Sequence, residues 1–343
     1  MASTSTRRFN VAIVGATGMV GHELLKVLAQ RNFPAASIRA LASERSAGVR
    51  LPCNGTEVEV QTLAEDSFED IDLAFFAAGG AQSLQYAPFA VAAGALVIDK
   101  SGAWRMQESV PLVVPEINFG RIADNEGIIS VPNCCTIPLT MVLEPLRRAV
   151  GLQRVVISTY QSASGAGKDL VHELDDQVHA FAEGRRPEAR VYPHQLFHNV
   201  VPGGWTPEVD GYNDEEVKLV KETRKILEEP DLRVAVTCVR VPVPIGHSEA
   251  LFVEMSQPLT PEAAREVLAA FPGVAVMDDP ANDVYPTAAQ AAGRDEVFVG
   301  RIRRDPSVQN GLAMWVVTDN LRKGAALNGV QIAEKAIEMG VVK

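Results

Sequence analysis

Phe9-Asn-Val-Ala-Ile-Val-Gly-Ala-Thr-Gly-Met-Val-Gly21 is the stretch that decides the fold. Phe9 to Val14 is a short, β-branched apolar run, the pattern of a buried strand. Gly15, Gly18 and Gly21 follow in a G-x-x-G-x-x-G arrangement. Without a Cβ, glycine lets the backbone turn tightly and approach a pyrophosphate at the start of a helix. His22 to Gln30 then carries helical spacing through Leu24, Leu25, Val27 and Leu28. Strand, glycine turn and helix make the opening unit of a dinucleotide-binding fold. Gly15, Ala16, Thr17, Gly18, Met19 and Val20 are therefore expected to cradle the cofactor phosphates.

Outward from this unit, strands are expected at Ile38–Leu41, Glu57–Val60, Leu73–Ala77 and Leu96–Asp99, with a helix over Ser83–Ala93. Alternating strands and helices predict an α/β fold, a Rossmann-type doubly wound parallel sheet. The second strand ends in Ala42-Ser-Glu-Arg-Ser-Ala-Gly48. An acid here takes the ribose hydroxyls of NAD, whereas an arginine with serines takes a 2′-phosphate. Glu44 and Arg45 compete for that choice. Ser43 and Ser46 beside Arg45 tip the expectation to NADP.

Past residue 134 the pattern changes. Longer alternating runs at Arg154–Tyr160, Arg233–Val243, Ala250–Met255, Val297–Arg303 and Leu312–Thr318 predict strands. Helical runs at Lys168–Ala182, Asp214–Leu227 and Pro261–Phe271 separate them. This is a second α+β domain with a large mixed or antiparallel sheet. Gly184 to Gly211 reads as a long irregular loop, of the kind that serves a site or covers a partner subunit. The expected domains are residues 1–133, rejoined by a C-terminal helix over 322–343, and residues 134–321.

Composition narrows the function. The 343-residue chain is 47% hydrophobic and 22% charged, which leaves room for two cores. A net charge of −11 without a basic run argues against nucleic acid as a partner. No apolar stretch is long enough to span a membrane. Met1 to Arg8 reads as a short disordered tail. The four cysteines, Cys53, Cys134, Cys135 and Cys238, form no C-x-x-C pair, so no metal site is expected and a reducing cytoplasm fits.

The chemistry points to Ser130-Val-Pro-Asn-Cys-Cys-Thr-Ile-Pro-Leu139. An apolar run enters it and a long amphipathic segment, Thr136 to Val150, leaves it. A thiol at a helix start meets unpaired N–H groups and the positive dipole end, which favour the nucleophilic thiolate. Its partner must come from His22, His172, His179, His194, His198 or His247. The first three sit on helices and read as surface residues. His247 follows Arg240-Val-Pro-Val-Pro-Ile-Gly246, a strand ending in a turn that aims the imidazole off the sheet. The same strand offers Arg240, suited to bidentate carboxylate binding.

With these residues in view, the chain resembles the aspartate-semialdehyde dehydrogenase family nearly end to end. The resemblance rests on Gly15–Gly21, Asp99-Lys-Ser-Gly-Ala-Trp-Arg105, Val114-Pro-Glu-Ile-Asn118, Pro132-Asn-Cys134, Tyr160-Gln-Ser-Ala-Ser-Gly165, Arg240-Val-Pro with Gly246-His-Ser-Glu249, and Thr318-Asp-Asn-Leu-Arg-Lys-Gly324. It implies Cys134 as nucleophile, His247 as acid/base and Gln161 as the group that orients the substrate. It implies Arg240 for the substrate α-carboxylate, Glu215 for its ammonium, and Arg105, Lys218 and Asn133 for phosphate. Glu216 and Lys221 stand as alternatives to Glu215 and Lys218. Gly165 and Asn320 would contact the cofactor, Asn320 at the nicotinamide amide. The Cys135 N–H is expected to serve as an oxyanion donor. Cys135 departs from the family, which usually has Ser or Thr there. The implied reaction is NADPH-dependent reductive dephosphorylation of L-4-aspartyl phosphate through a cysteine thioester. It belongs to lysine, threonine, methionine and diaminopimelate biosynthesis, and the implied assembly is a homodimer. The competing readings are N-acetyl-γ-glutamyl-phosphate reductase, a non-phosphorylating aldehyde dehydrogenase, and a redox sensor using the two adjacent thiols.

Overall fold

The computed structural model describes residues 7–53 and 55–342. Most of the expected N-terminal tail, Met1 to Thr6, lies outside the described residues. The chain forms two compact units, Met1–Pro132 with Ala325–Lys343, and Asn133–Gly324.

The first unit is built on strands β1 (Phe9–Val14), β2 (Ala35–Ala42), β3 (Arg50–Cys53), β4 (Thr56–Thr62), β5 (Leu73–Phe76), β6 (Leu96–Asp99) and β7 (Ile128–Ser130). Their order across the sheet is β3-β4-β2-β1-β5-β6-β7. Every pairing is parallel except β3 with β4, an antiparallel edge hairpin that the apolar pattern did not disclose. The parallel Rossmann-type sheet expected from the sequence is present. β5 and β6 are buried along their whole length, which explains their unbroken apolar sequences. The helix Gly80–Ala92 starts earlier than the apolar run suggested. At the chain's end, Leu327–Glu338 is an α-helix held to this unit by Arg31–Glu334, by Asn328 Nδ2 donating to the Val113 carbonyl, and by Gln331–Glu116.

The second unit carries β8 (Leu152–Gln161), β9 (Arg233–Arg240), β10 (His247–Met255), β11 (Val274–Val276), β12 (Val297–Asp305) and β13 (Gly311–Thr318). The order is β11-β12-β13-β10-β8-β9. β8–β9 and β11–β12 are parallel and the remaining pairs antiparallel, so the sheet is mixed. β9 stops at Arg240 rather than Val243, because Pro242 and Pro244 remove ladder donors. The helix Thr136–Val150 is buried from Thr136 through Leu146. The helix Asp214–Leu227 opens with a capping box between Asn213 and Glu216 and ends on Arg224 and Lys225, which complement its dipole. The segment expected to be helical from Arg322 begins as a π-helix over Arg322–Ala326. No helix among the described residues is long and apolar enough to cross a membrane.

Register places the polar side chains. Gln161 lies opposite Arg240, and Thr159 opposite Cys238. His247 lies opposite Thr318, and Glu249 opposite both Val316 and Thr159. Side chains two apart share a face. One row at the sheet's end therefore carries His247, Gln161 and Arg240, with Glu249, Thr159 and Cys238 in the row beneath.

Candidate active site

Cys134 sits in the turn before the helix Thr136–Val150, whose N-cap is Cys135. Cys134 is partly exposed, and its sulfur lies 3.3 Å from His247 Nε2. His247 is 1% exposed, and its Nδ1 accepts the Ser162 backbone N–H at 3.0 Å. A buried imidazole is thus held at one nitrogen while the other faces the thiol. The five other histidines are not in this cluster, and His22, His172, His179, His194 and His198 are all exposed.

The remaining polar groups converge through Glu215, which is buried. Its Oε1 accepts from Gln161 Nε2 at 3.0 Å and from Asn133 Nδ2 at 2.9 Å, and its Oε2 from Lys218 Nζ at 3.3 Å. Lys218 also pairs with Asp214 at 2.7 Å. Burial pushes the Lys218 ammonium down, but Glu215 and Asp214 outweigh it and hold the group above its ordinary value. The structure separates Glu215 from its neighbour. Glu216 caps its helix and accepts the Cys238 N–H at 2.9 Å, a structural duty, and Lys221 is exposed.

Arg240 is buried, with Nη1 donating to the Ser162 carbonyl at 2.8 Å. Its guanidinium lies 4.8 Å from the Trp205 ring centroid and 5.7 Å from that of Tyr192. Both rings come from the long loop, and Val201 pairs with Arg240 through two backbone hydrogen bonds. This loop therefore finishes the edge of β9 and walls in the guanidinium. Nε of Arg240 is buried without an acceptor among the described residues, a donor suited to an anionic ligand.

One expectation fails. The Cys135 N–H donates to Asn133 Oδ1 at 2.8 Å, so it is not free as an oxyanion donor. Asn133 closes a two-residue turn on itself, a habit of asparagine that competes with helix amides for ligands. Its N–H in turn donates to Glu222 at 2.7 Å. Cys135 is fully buried, and its thiol is pushed well above its ordinary range by desolvation, then by Cys134, Glu249 and Glu215. The thiols of Cys134 and Cys135 and a His247 nitrogen lie within 4.8 Å of one another.

In the first unit, Arg105 is buried and donates to the Val131 carbonyl at 3.0 Å and the Lys100 carbonyl at 2.7 Å. Asp99 organises that motif by accepting from Ser83 and Ser101, each at 2.7 Å. Burial raises the Asp99 carboxyl despite those bonds. The glycine turn is packed to the limit. A Cβ on Gly15 would stand 2.8 Å from the Ala77 carbonyl oxygen, and one on Gly21 would stand 2.3 Å from the Gly15 oxygen. Gly18 caps the helix Met19–Gln30 without a side-chain cap or an acid in its first turn, which leaves its amides to an anion. Ser43, Arg45 and Ser46 lie on a short exposed turn after β2. No hydrogen bond or ion pair occupies the Arg45 guanidinium among the described residues.

The chain is similar to known proteins over nearly its whole length. The family model described as "Semialdehyde dehydrogenase, NAD binding domain" matches residues 10–125, and "Semialdehyde dehydrogenase, dimerisation domain" matches residues 143–323. An aspartate-semialdehyde dehydrogenase of Aquifex aeolicus is 49% identical, over 97% of this chain and 99% of its own length. The chain belongs to the aspartate-semialdehyde dehydrogenase family. Its activity is that of an oxidoreductase acting on an aldehyde group. Among solved structures, aspartate semialdehyde dehydrogenase II of Vibrio cholerae complexed with ASA superposes with a TM-score of 0.94 at 42% identity, covering 97% of this chain and 99% of that one. The Candida albicans aspartate semialdehyde dehydrogenase with NADP gives a TM-score of 0.77 at 25% identity, covering 98% and 100%.

For this family member, Asn320 and Gly165 were expected at the site, whereas Ser162, Ser164, Gly324, Trp205, Tyr192 and Glu222 escaped the sequence reading. Ser162, Ser164 and Asn320 form one buried cluster. The Asn320 carbonyl oxygen accepts from both hydroxyls at 3.1 Å and from the Gly246 N–H at 2.9 Å, while its Nδ2 donates to Ser164 at 3.0 Å. Gly324, in the π-helix, has space for a Cβ only 3.2 Å from the Cys134 carbonyl oxygen. Gly165 lies against both Arg240 and His247. Ser162, Ser164 and Gly324 lie within quoted motifs, but only tertiary contact shows what they touch. Trp205, Tyr192 and Glu222 had no local signal.

Proposed function

We propose that the chain reduces L-4-aspartyl phosphate to L-aspartate 4-semialdehyde and inorganic phosphate, with NADPH as reductant and a thioester on Cys134. The observation that carries this reading is the 3.3 Å contact of Cys134 with His247 beside the buried Gln161, Glu215 and Arg240. The Cys134 thiolate, its proton passed to His247, attacks the acyl carbon, phosphate leaves, and a thioester remains. A bound nicotinamide supplies the hydride that reduces it. His247 is the acid/base and protonates the oxyanion that develops as hydride arrives.

Arg240 takes the substrate carboxylate with the Nε that has no acceptor among the described residues, and Glu215 takes the ammonium. Gln161, tied to Glu215, orients the substrate between them. Arg105, Lys218 and Asn133 bind phosphate; Asn133 does so by exchanging its bond to Glu215. Gly15 to Val20 hold the cofactor pyrophosphate, supported by a turn that tolerates no Cβ at Gly15 or Gly21. Arg45 with Ser43 and Ser46 holds the 2′-phosphate, which selects NADP. Gly165, which lies against Arg240 and His247, would contact the cofactor. Asn320 contacts the nicotinamide amide by giving up its bond to Ser164.

The product of such a reaction feeds lysine, threonine, methionine and diaminopimelate synthesis from aspartate, in the cytoplasm. The assembly is a homodimer, in keeping with the dimerisation-domain match over residues 143–323. The direct test is reduction of NADP by aspartate semialdehyde with purified protein. Turnover that requires inorganic phosphate supports the reading. Turnover without phosphate, or none at all, refutes it.

A further inference from the structure

The irregular stretch from Glu188 to Thr206 is fastened to two helices. Buried Glu173, on the helix Lys168–Ala182, accepts the N–H groups of Arg190 and Val191 at 2.5 Å each and that of Tyr192 at 3.3 Å. Buried Gln177, one turn on, accepts from the Leu196 and Phe197 amides at 3.0 and 2.8 Å and donates to the Glu188 carbonyl at 2.8 Å. At the other end, the Thr206 N–H donates to Asp214 Oδ1 at 2.9 Å, and its carbonyl accepts the Asp214 N–H at 2.8 Å. Asp214 opens the helix Asp214–Leu227. A loop ordered against its own backbone entropy at so many points serves to place something.

What it places is a pair of rings over Arg240. The Tyr192 hydroxyl donates to the Gly203 carbonyl, and Gly204, at φ +89°, packs so closely on the Tyr192 ring that a Cβ there would collide with it. Trp205 is thus fixed on one side through Tyr192 and on the other through Thr206 and Asp214. The Arg240 guanidinium carbon lies 4.8 Å from the Trp205 centroid and 5.7 Å from that of Tyr192, and Arg240 is buried. A desolvated guanidinium at such a distance is attracted by the ring. The indole has no lone-pair acceptor, so it draws the cation without taking one of its N–H groups. Nη1 is committed to the Ser162 carbonyl, whereas Nε has no acceptor among the described residues. The rings therefore shield the cation and leave an edge donor for a ligand.

We propose that Trp205 is the positioning residue of the carboxylate subsite, holding the Arg240 guanidinium dry and aimed so that its Nε–H meets the α-carboxylate of a free amino acid. This deepens the reading above and rests on its assignment of Arg240 to that carboxylate. The carboxylate keeps its charge from ground state to transition state and takes no part in bond making. Loss of Trp205 therefore removes uniform binding, which raises KM and leaves kcat in place. A carboxamide in place of the carboxylate brings no charge to Arg240 and gains nothing from the ring. The loop read from the sequence as serving a site or a partner then serves this site.

The test needs no turnover. L-2-Aminobutyrate carries the carboxylate and ammonium without a reacting group, and its binding to the full-length protein can be followed by ligand-observed NMR. Trp205→Leu keeps apolar bulk but loses the ring, and should weaken the Kd by about tenfold; Trp205→Phe keeps a ring and should stay within about threefold of the unsubstituted protein. Equal Kd values in the Leu and Phe variants overturn the proposal. L-2-Aminobutyramide should bind all three proteins alike; a loss in Trp205→Leu as large as that of the acid would show a collapsed site and overturn it too. No binding of the acid to the unsubstituted protein would remove Arg240 from carboxylate recognition, and Trp205 with it. In turnover, Trp205→Leu should raise KM for aspartate semialdehyde by about tenfold with kcat within about twofold, and a fall in kcat at unchanged KM would contradict a binding role. Failure of the thioester reading would appear instead as absent turnover in the unsubstituted protein, with the binding results intact.

Discussion

Gly165 lacks a side chain where one would meet the reacting groups. A Cβ added there would stand 2.9 Å from Arg240 Nη1 and from Cε1 and Nε2 of His247. Non-bonded heavy atoms rest near about 3.5 Å, so in Gly165→Ala the imidazole must retreat by roughly 0.6 Å. Its Nδ1 is anchored by Ser162, so the ring can only tilt, and the 3.3 Å contact to Cys134 lengthens. Misplacing a reacting group by about 1 Å costs on the order of 100-fold, so roughly half that shift should cost about tenfold in kcat. That is about 1.4 kcal/mol at the transition state. Folding should suffer less, by about 1 kcal/mol at most, because Gly165 is exposed and its backbone is not left-handed. The assay is phosphate-dependent reduction of NADP at saturating aspartate semialdehyde, with the urea midpoint as control. A kcat within about twofold of the unsubstituted enzyme would refute the reasoning, since the ring would then have yielded without consequence.

Arg45→Ala should raise KM for NADP far more than for NAD, by the roughly 1.5–3 kcal/mol of a charge-assisted hydrogen bond, about 10- to 100-fold; equal effects on both cofactors would remove Arg45 from 2′-phosphate binding. Cys134→Ser should lose orders of magnitude in kcat, because an alcohol stays un-ionised where a tuned thiol does not. Cys135→Ser should keep most activity, since its N–H bonds to Asn133 through the backbone alone; mass spectrometry of trapped acyl-enzyme should find the adduct on Cys134, and an adduct on Cys135 would shift the nucleophile by one residue. Glu249 is fully buried with neither carboxyl oxygen hydrogen-bonded among the described residues, and burial, then the Cys134 charge, holds its pKa well above the usual carboxylate range. The folded protein thus binds this proton more tightly than the unfolded chain. The resulting stability is complete below the unfolded value of about 4.3 and falls as pH rises from there toward the raised folded value. Glu249→Gln has no such dependence, so its stability relative to the parent should improve from acidic to alkaline pH in urea titrations; an unchanging difference would show that Glu249 does not hold its proton more tightly in the folded state.

The sequence alone determined what repeats locally. The first strand, its glycine turn and the following helix were legible because each is set by residues a few positions apart, through β-branched runs, absent Cβ atoms and helical spacing. The same holds for Lys168–Ala182 and Asp214–Leu227, whose bounds in the structure coincide with those expected. Of the edge pair, β4 was expected at Glu57–Val60, but β3, four residues with alternate positions exposed, carried too little apolar pattern to be seen. At the site, motifs singled out Cys134, His247, Gln161 and Arg240, but only register across β13, β10, β8 and β9 put the last three in one row. Tertiary structure alone distinguished Glu215 from Glu216: a capping box and the Cys238 amide engage the latter, while the former meets Gln161 and Asn133. It also took the Cys135 N–H for Asn133 and set the His247 ring with the Ser162 amide. Local sequence records which groups can donate or accept. Which acceptor a given N–H reaches depends on segments distant in the chain meeting at hydrogen-bond length, and that is settled only when the sheet and helices pack.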